Sequence, residues 1–164
     1  MKIIHCILLF TFIFNINIKA QDLNKHDHDH EHDCTHHKNE IGIGSTLVYF
    51  PGEKSFAPGF HAHYVYNFTG TRFGIGLGYE KILDEHSHNT LGIIANYRPL
   101  SKLNLMFSPG ITLASHENPA HLSAHFETTY EFVYKIIHFG PVVGIGWDGE
   151  DVHIGAGIHI GIGF

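Results

Sequence analysis

Between Gln21 and Glu40 the chain carries six histidines, and their spacing is the first hint of chemistry. His26, His28, His30 and His32 hold alternate positions among Asp27, Asp29, Glu31 and Asp33, and Cys34, His36 and His37 follow. In an extended stretch alternate residues share one side, so four imidazoles line one edge and carboxylates the other. Neutral imidazole and thiolate favour Zn²⁺, Ni²⁺ or Cu²⁺ by ligand type, and the carboxylates attract any cation. The spacing fits no finite zinc-finger pattern. It predicts weak, exchanging coordination spread over His26, His28, His30, His32, Cys34, His36 and His37, and it implies no organic cofactor. Protonation of exposed imidazoles near their reference pKa of about 6.5 would release metal on acidification. The alternative is a soluble spacer with no ligand role.

A second set of histidines lies in a different kind of sequence. From Ile41 to Phe164 the apolar residues recur with period two in eight segments, while Gly, His and charged residues fill the opposite face. The segments are Ile41–Phe50, Phe56–Phe68, Thr71–Lys81, about Thr90–Arg98, Leu103–Leu113, His121–Phe132, Ile137–Trp147 and Asp151–Phe164. In the last one Val152, Ile154, Ala156, Ile158, Ile160, Ile162 and Phe164 oppose Asp151, His153, Gly155, Gly157, His159, Gly161 and Gly163. The same parity turns His61, His63, His125, His138, His153 and His159 inward, with Arg72 and Arg98 facing Glu80, Glu127 and Glu131. Those charges predict a buried ion network that blocks a narrow interior. The inward histidines are either compact polar filler or, where three converge, ligands for zinc or copper. His61, His63, His125 and His153 are expected toward the outer half.

Strands of about 9–11 residues with one apolar and one polar or small face match a barrel wall between lipid and lumen. Turn signals separate the segments at Pro51-Gly52, Thr69-Gly70, Asp84 to Asn89, Arg98-Pro99, Ser115 to Pro119, Tyr134-Lys135 and Asp148-Gly149. Tyr49, Phe56, Phe68, Tyr79, Tyr97, Phe132, Trp147 and Phe164 stand near strand ends, as interfacial girdles should. Pro58, Pro109 and Pro141 predict bulges or strand ends, because a closed wall has no edge to absorb a missing donor. A soluble ligand-binding barrel would instead turn its apolar face inward.

The rest of the chain bounds the reading. Met1 to Ala20 reads as a secretory signal, with Lys2, an apolar run from Ile3 to Phe14, and Ala20 before the cut. Residues 21–40 hold almost nothing apolar after Leu23 and are expected to be disordered. Removing residues 1–20 takes away Lys2 and Lys19 and leaves 8 Lys and Arg against 16 Asp and Glu, a formal −8. That balance makes nucleic acid a poor partner. Cys34 would be the only mature cysteine, so no disulfide framework is expected.

The signal, the eight alternating segments and the terminal Ile160-Gly161-Ile162-Gly163-Phe164 resemble the small eight-stranded outer-membrane barrels of the OmpA, OmpX and OmpW type. The resemblance covers residues 41–164 in pattern. It implies an all-β, eight-stranded antiparallel up-and-down transmembrane barrel in the cell outer membrane, with residues 21–40 as a periplasmic tail. It also implies that the barrel-assembly machinery reads the last strand through Phe164. The functional expectation is binding of divalent transition metal by the tail, as buffer, sensor or accessory to a metal transporter. The alternatives are a structural or adhesive barrel without a metal role, and a narrow selective channel. Asp84-Glu85-His86-Ser87-His88 places an acid, bases and a hydroxyl in one loop, but a catalytic triad normally draws on separated segments, so the chain reads as a non-enzyme.

Overall fold

The computed structural model describes residues 37–84, 88–114, 119–149 and 151–164. Its regular structure there is all β: β1 (Asn39–Phe50), β2 (Ser55–Asn67), β3 (Phe73–Ile82), β4 (Asn89–Leu100), β5 (Leu103–Thr112), β6 (His121–Tyr130), β7 (Phe132–Tyr134), β8 (Ile137–Trp147) and β9 (Val152–Gly163). Neighbouring strands pair antiparallel, with β6 and β7 both lying against β8. The β1–β9 ladder, from Glu40↔Gly163 to Tyr49↔Ile154, closes the sheet into a barrel.

Nine elements make eight walls, because the sixth predicted segment is interrupted at Glu131. β6 pairs with β8 as far as Thr129↔Val142, and β7 resumes at Phe132↔Phe139. Gly140 faces the break. A Cβ there would lie 1.8 Å from the Tyr130 carbonyl oxygen, so only glycine admits that pinch. The Glu131 amide donates to the Lys102 carbonyl at 2.7 Å and keeps the wall tied to the β4–β5 turn.

The prolines act differently from expectation. Pro58 stands opposite Leu47, Pro109 opposite Ala124 and Pro141 opposite Ile158, all within continuous registers. All three point outward and exposed. Each removes one donor, and a single missing bond does not shift a ladder held by its neighbours. The β4–β5 ladder skips Ile93 and Ile94 opposite Pro109 and Ser108, then resumes at Ala95↔Phe107 in the same register. The one register shift in that ladder falls between Tyr97 and Leu100. Arg98-Pro99, expected as a turn, therefore lies inside β4 at a bulge, and the chain reverses at residues 101–102.

Burial alternates along every long strand, and the apolar set is outside. Ile43, Leu77, Ile93, Leu122, Ile145 and Ile160 are 48–70% exposed, while their neighbours Gly42, Gly76, Ile94, Ser123, Gly146 and His159 are buried. Such a wide apolar surface is stable only against hydrocarbon or a partner. Aromatic pairs mark both rims, with Tyr49–Phe56 centroids 4.8 Å apart near one and Phe73–Tyr97 centroids 4.8 Å apart near the other. No helix among the described residues is long and apolar enough to cross a membrane. The start of β1 and the end of β9 meet at one mouth, where Asn39 and Phe164 exchange backbone bonds at 2.8 and 2.9 Å. That terminal mouth carries the turns at 68–72, 101–102 and 135–136, and the opposite, loop mouth carries the turn at 51–54 and the ends of β3, β5 and β8.

The inward glycines are not equivalent. A Cβ on Gly76 would lie 2.1 Å from the Tyr64 carbonyl oxygen, whereas one on Gly155 meets nothing nearer than Thr46 Cβ at 3.6 Å. G76A should therefore destabilise the folded barrel by roughly 1–3 kcal/mol, and G155A should leave it within about 1 kcal/mol. Urea unfolding midpoints in lipid vesicles test this; equal midpoints for the two variants would contradict it.

Candidate functional site

The lumen is built by subtraction. β2 supplies His61 and His63, β9 supplies His159 and β8 supplies His138, and β1 runs between β2 and β9. Across that gap β1 offers only Gly42 and Gly44. A Cβ on Gly42 would lie 2.4 Å from His159 Cε1 and 2.5 Å from His63 Nε2, and one on Gly44 would lie 2.3 Å from His61 Cε1. The rings of two strands meet because the strand between them has no side chain there. Gly161 lies under His138 and Gly146 under His153 in the same manner.

Four imidazoles form the centre. His61 Nε2 and His159 Nδ1 are 3.3 Å apart, and His159 Nε2 and His138 Nε2 are 3.4 Å apart. The His63 and His159 rings are nearly parallel, at 4° with centroids 5.0 Å apart. All four residues are at most 8% exposed. Carboxylates cap the row: Glu127 Oε2 is 3.9 Å from His61 Nδ1, and Glu40 Oε1 is 3.2 Å from His138 Nε2 and 3.8 Å from His63 Nε2. Ligand atoms of His61, His63 and His159 lie within 4.8 Å of one another, as do those of Glu40, His138 and His159, and of Glu80, His125 and His153.

Next to this row stands an ionic clamp. The Arg98 guanidinium donates to Glu131 Oε2 through Nη1 and to Glu40 Oε2 through Nη2. Asn104 Nδ2 donates to Glu131 Oε1 at 3.2 Å. Toward the loop mouth, Glu80 pairs with His125, whose ring meets His153 edge-on with centroids 5.2 Å apart. Phe50 lies between His153 and His88, with centroid distances of 5.4 and 6.0 Å. At the rim His88 bridges Asp84 (Nδ1–Oδ2 2.7 Å) and Asp148 (Nε2–Oδ2 3.0 Å), clasping the β3–β4 and β8–β9 connections together. Among the described residues, two small adjoining cavities share His61, Glu80, His125 and Glu127 in their walls.

These positions correct the sequence reading in three places. Arg72 is exposed before β3 and donates to the Pro99 carbonyl at 2.9 Å, so the lumen network has Arg98 but not Arg72. Its parity holds, but β3 begins one residue too late to carry it inward. His63 does not lie with His125 and His153 toward the loop mouth: it stands opposite Gly42, near the start of β1, and faces Glu40. Glu40, assigned to the tail, is a buried residue of β1 and touches Arg98, His138 and His63. Extending the alternation of Gly42, Gly44, Thr46 and Val48 back by one step would have found it. Nothing in the sequence pointed to the Asp84–His88–Asp148 clasp, which joins two loops 60 residues apart between His88 and Asp148. Among the tail donors, His26, His28, His30, His32, Cys34 and His36 lie outside the described residues. His37 is described: a Cβ on Gly163 would lie 2.4 Å from its ring, and its carbonyl accepts from Asn67 Nδ2 at 3.0 Å.

The clamp and the clasp give two expectations. Removing Arg98 leaves two buried carboxylates without their cation, so R98A should cost about 3–5 kcal/mol in urea unfolding, and R98A/E40Q/E131Q should recover most of that. No recovery in the triple variant would show that the charges are not the cause. At the rim, the Asp148 hydrogen bond first, and the Asp84 charge with it, raise the His88 pKa above its ordinary 6.5 despite partial burial. Burial works against ionisation of Asp148, yet the His88 hydrogen bond and the Asp151 amide hold its carboxyl below the usual range. The clasp therefore contributes fully below the unfolded His value, fades as pH rises through the folded His88 value, and is lost again only in strong acid. NMR titration of His88 should give a midpoint above 6.5, falling in D148N; an unchanged midpoint in D148N counts against the clasp.

No family model and no curated protein sequence matches the chain. Solved structures match it over nearly their whole length. Neisserial surface protein A superposes with a TM-score of 0.55 at 9% identity, covering 77% of this chain and 96% of that one. The N-terminal β-barrel domain of Pseudomonas aeruginosa OprF gives 0.53 at 15%, covering 78% and 99%. The attachment invasion locus protein Ail of Yersinia pestis gives 0.52 at 14%, covering 78% and 98%. Identities this low establish the fold alone. In fold, the chain is a closed eight-stranded antiparallel barrel of the outer-membrane type.

Proposed function

We propose that the protein is an outer-membrane barrel that captures divalent transition metal through the donor-rich segment His26, His28, His30, His32, Cys34, His36 and His37. The observation that carries this reading is the seat of His37. The last donor of the segment lies over Gly163 at the mouth, and the lumen beyond it is lined by Glu40, His63, His138 and His159. A sequence rich in imidazole thus leads into an interior rich in imidazole. The lengths of the connections support a periplasmic orientation for this segment. Outer-membrane barrels keep short turns on the periplasmic side and longer loops outside, and the termini here share the side of the two-residue turns at 101–102 and 135–136. The segment is then periplasmic, where it would hold metal for a separate transporter.

The Arg98 clamp and the stacked rings favour this over a channel, because charges that satisfy one another across a narrow lumen obstruct ion flow. A purely adhesive or structural barrel needs no imidazole in either place. The discriminating measurement is zinc titration of the full chain, refolded in detergent, beside a variant with the six tail histidines and Cys34 replaced by serine. The native chain should bind several exchanging equivalents with affinity better than about millimolar at pH of about 7.5 and release most of them near pH 5.5. The variant should lose those equivalents. Identical stoichiometry and affinity in the two chains would remove the role of the segment.

A further inference from the structure

We propose that His61, His63 and His159 form a buried metal site of their own inside the barrel, taking one divalent ion of the Zn²⁺ or Cu²⁺ class through three imidazole nitrogens. The site stands apart from the tail and shares no residue with it.

Geometry carries the proposal. Zinc–nitrogen bonds of about 2.0–2.1 Å in a tetrahedral site place the nitrogens roughly 3.3–3.4 Å apart. His61 Nε2 and His159 Nδ1 already stand 3.3 Å apart, and the third donor falls within the 4.8 Å that spans the group. His63 Nε2 is buried and makes no hydrogen bond, its nearest carboxylate being Glu40 Oε1 at 3.8 Å. A buried ring nitrogen left without a partner is costly in a merely structural filler and is the expected state of a ligand awaiting its ion.

The surroundings fit the same role. Metal-bound histidines commonly present their other nitrogen to an orienting group. With Nε2 of His61 and Nδ1 of His159 on the ion, the opposite nitrogens face Glu127 at 3.9 Å and His138 Nε2 at 3.4 Å. Gly42 and Gly44 keep β1 from intruding between the three rings. A small cavity whose wall includes His61 and His63 adjoins two of the three ligands on the side where a fourth would enter. The adjoining cavity shares His61 and reaches Val48 and His153 on the side of the loop mouth.

The test uses the full chain with its tail donors replaced by serine, so that only the barrel can bind. Folding is verified by heat-modifiable migration, and Co²⁺ serves as the spectroscopic probe. The folded barrel should take a single Co²⁺ with an intense visible band typical of low coordination number, displaced by Zn²⁺. H63Q and H159Q should each weaken binding at least about tenfold, while H153Q, in the separate outer cluster, should not. If H159Q does not fold, H63Q decides, because His63 Nε2 has no hydrogen bond to lose. A folded barrel with no visible band, or one whose affinity is unchanged in H63Q, overturns the proposal. A positive result here with an unaltered tail titration would separate this site from the tail reading.

Discussion

The dimension on which the molecule depends is the width of a barrel with eight walls. An interior this narrow is filled by its own side chains. Six imidazoles, four carboxylates and a guanidinium share this space, and for five of the six rings a neighbouring strand presents glycine. Gly42, Gly44, Gly146 and Gly161 each lie where a Cβ would fall 2.0–2.5 Å from an imidazole atom of His159, His63, His61, His153 or His138. These four glycines are the complement of histidines on the neighbouring strands, and both choices follow from one steric constraint.

The same narrowness sets the electrostatics. Outside a wall one strand thick the surface is apolar, so a lumen charge without a partner has little water to turn to. Arg98 stands between Glu40 and Glu131, and two carboxylates against one guanidinium leave a negative charge that His138 and His63 face. Asn104 satisfies the remaining Glu131 oxygen. Charges and rings thus form one connected set from Glu131 to Glu127, and altering one member changes the hydrogen-bonding duties of the next.

The wall pattern was legible because period two is a local property: each strand declares its lipid and lumen faces without reference to any other. That is why the eight segments and the parity of His61, His125, His138, His153 and His159 carry over to the structure with small changes at their ends. Contacts between walls were less legible. Whether Arg72 or Arg98 enters the lumen depends on where a strand begins, and two residues decided the matter for Glu40 as well. Register and tilt determine that His63 joins Glu40 rather than His125, and a single strand does not contain that information. The prolines misled for a related reason. The rule that a wall cannot lose a donor treats each bond alone, whereas Pro58, Pro109 and Pro141 sit in ladders whose other bonds hold the register.

The two faces of the wall differ in how much they can say about function. Any apolar residue suffices against lipid, and barrels at 9–15% identity share this architecture with little in common along the chain. The lumen is more demanding. Serine, threonine, asparagine or paired charges would fill a polar interior, and β4, β5 and β6 do use Thr90, Asn96, Asn104, Thr112, Ser123 and Thr129 that way. Histidine is instead concentrated on β2 and β9, on either side of the glycines of β1, with His125 of β6 and His138 of β8 joining them, so that rings from separate walls come together. Filler requires no such pairing of a bulky residue with a missing one. Convergence of like donors at the spacing of a coordination sphere does require it, which is why the imidazoles rather than the barrel are the informative part of the fold.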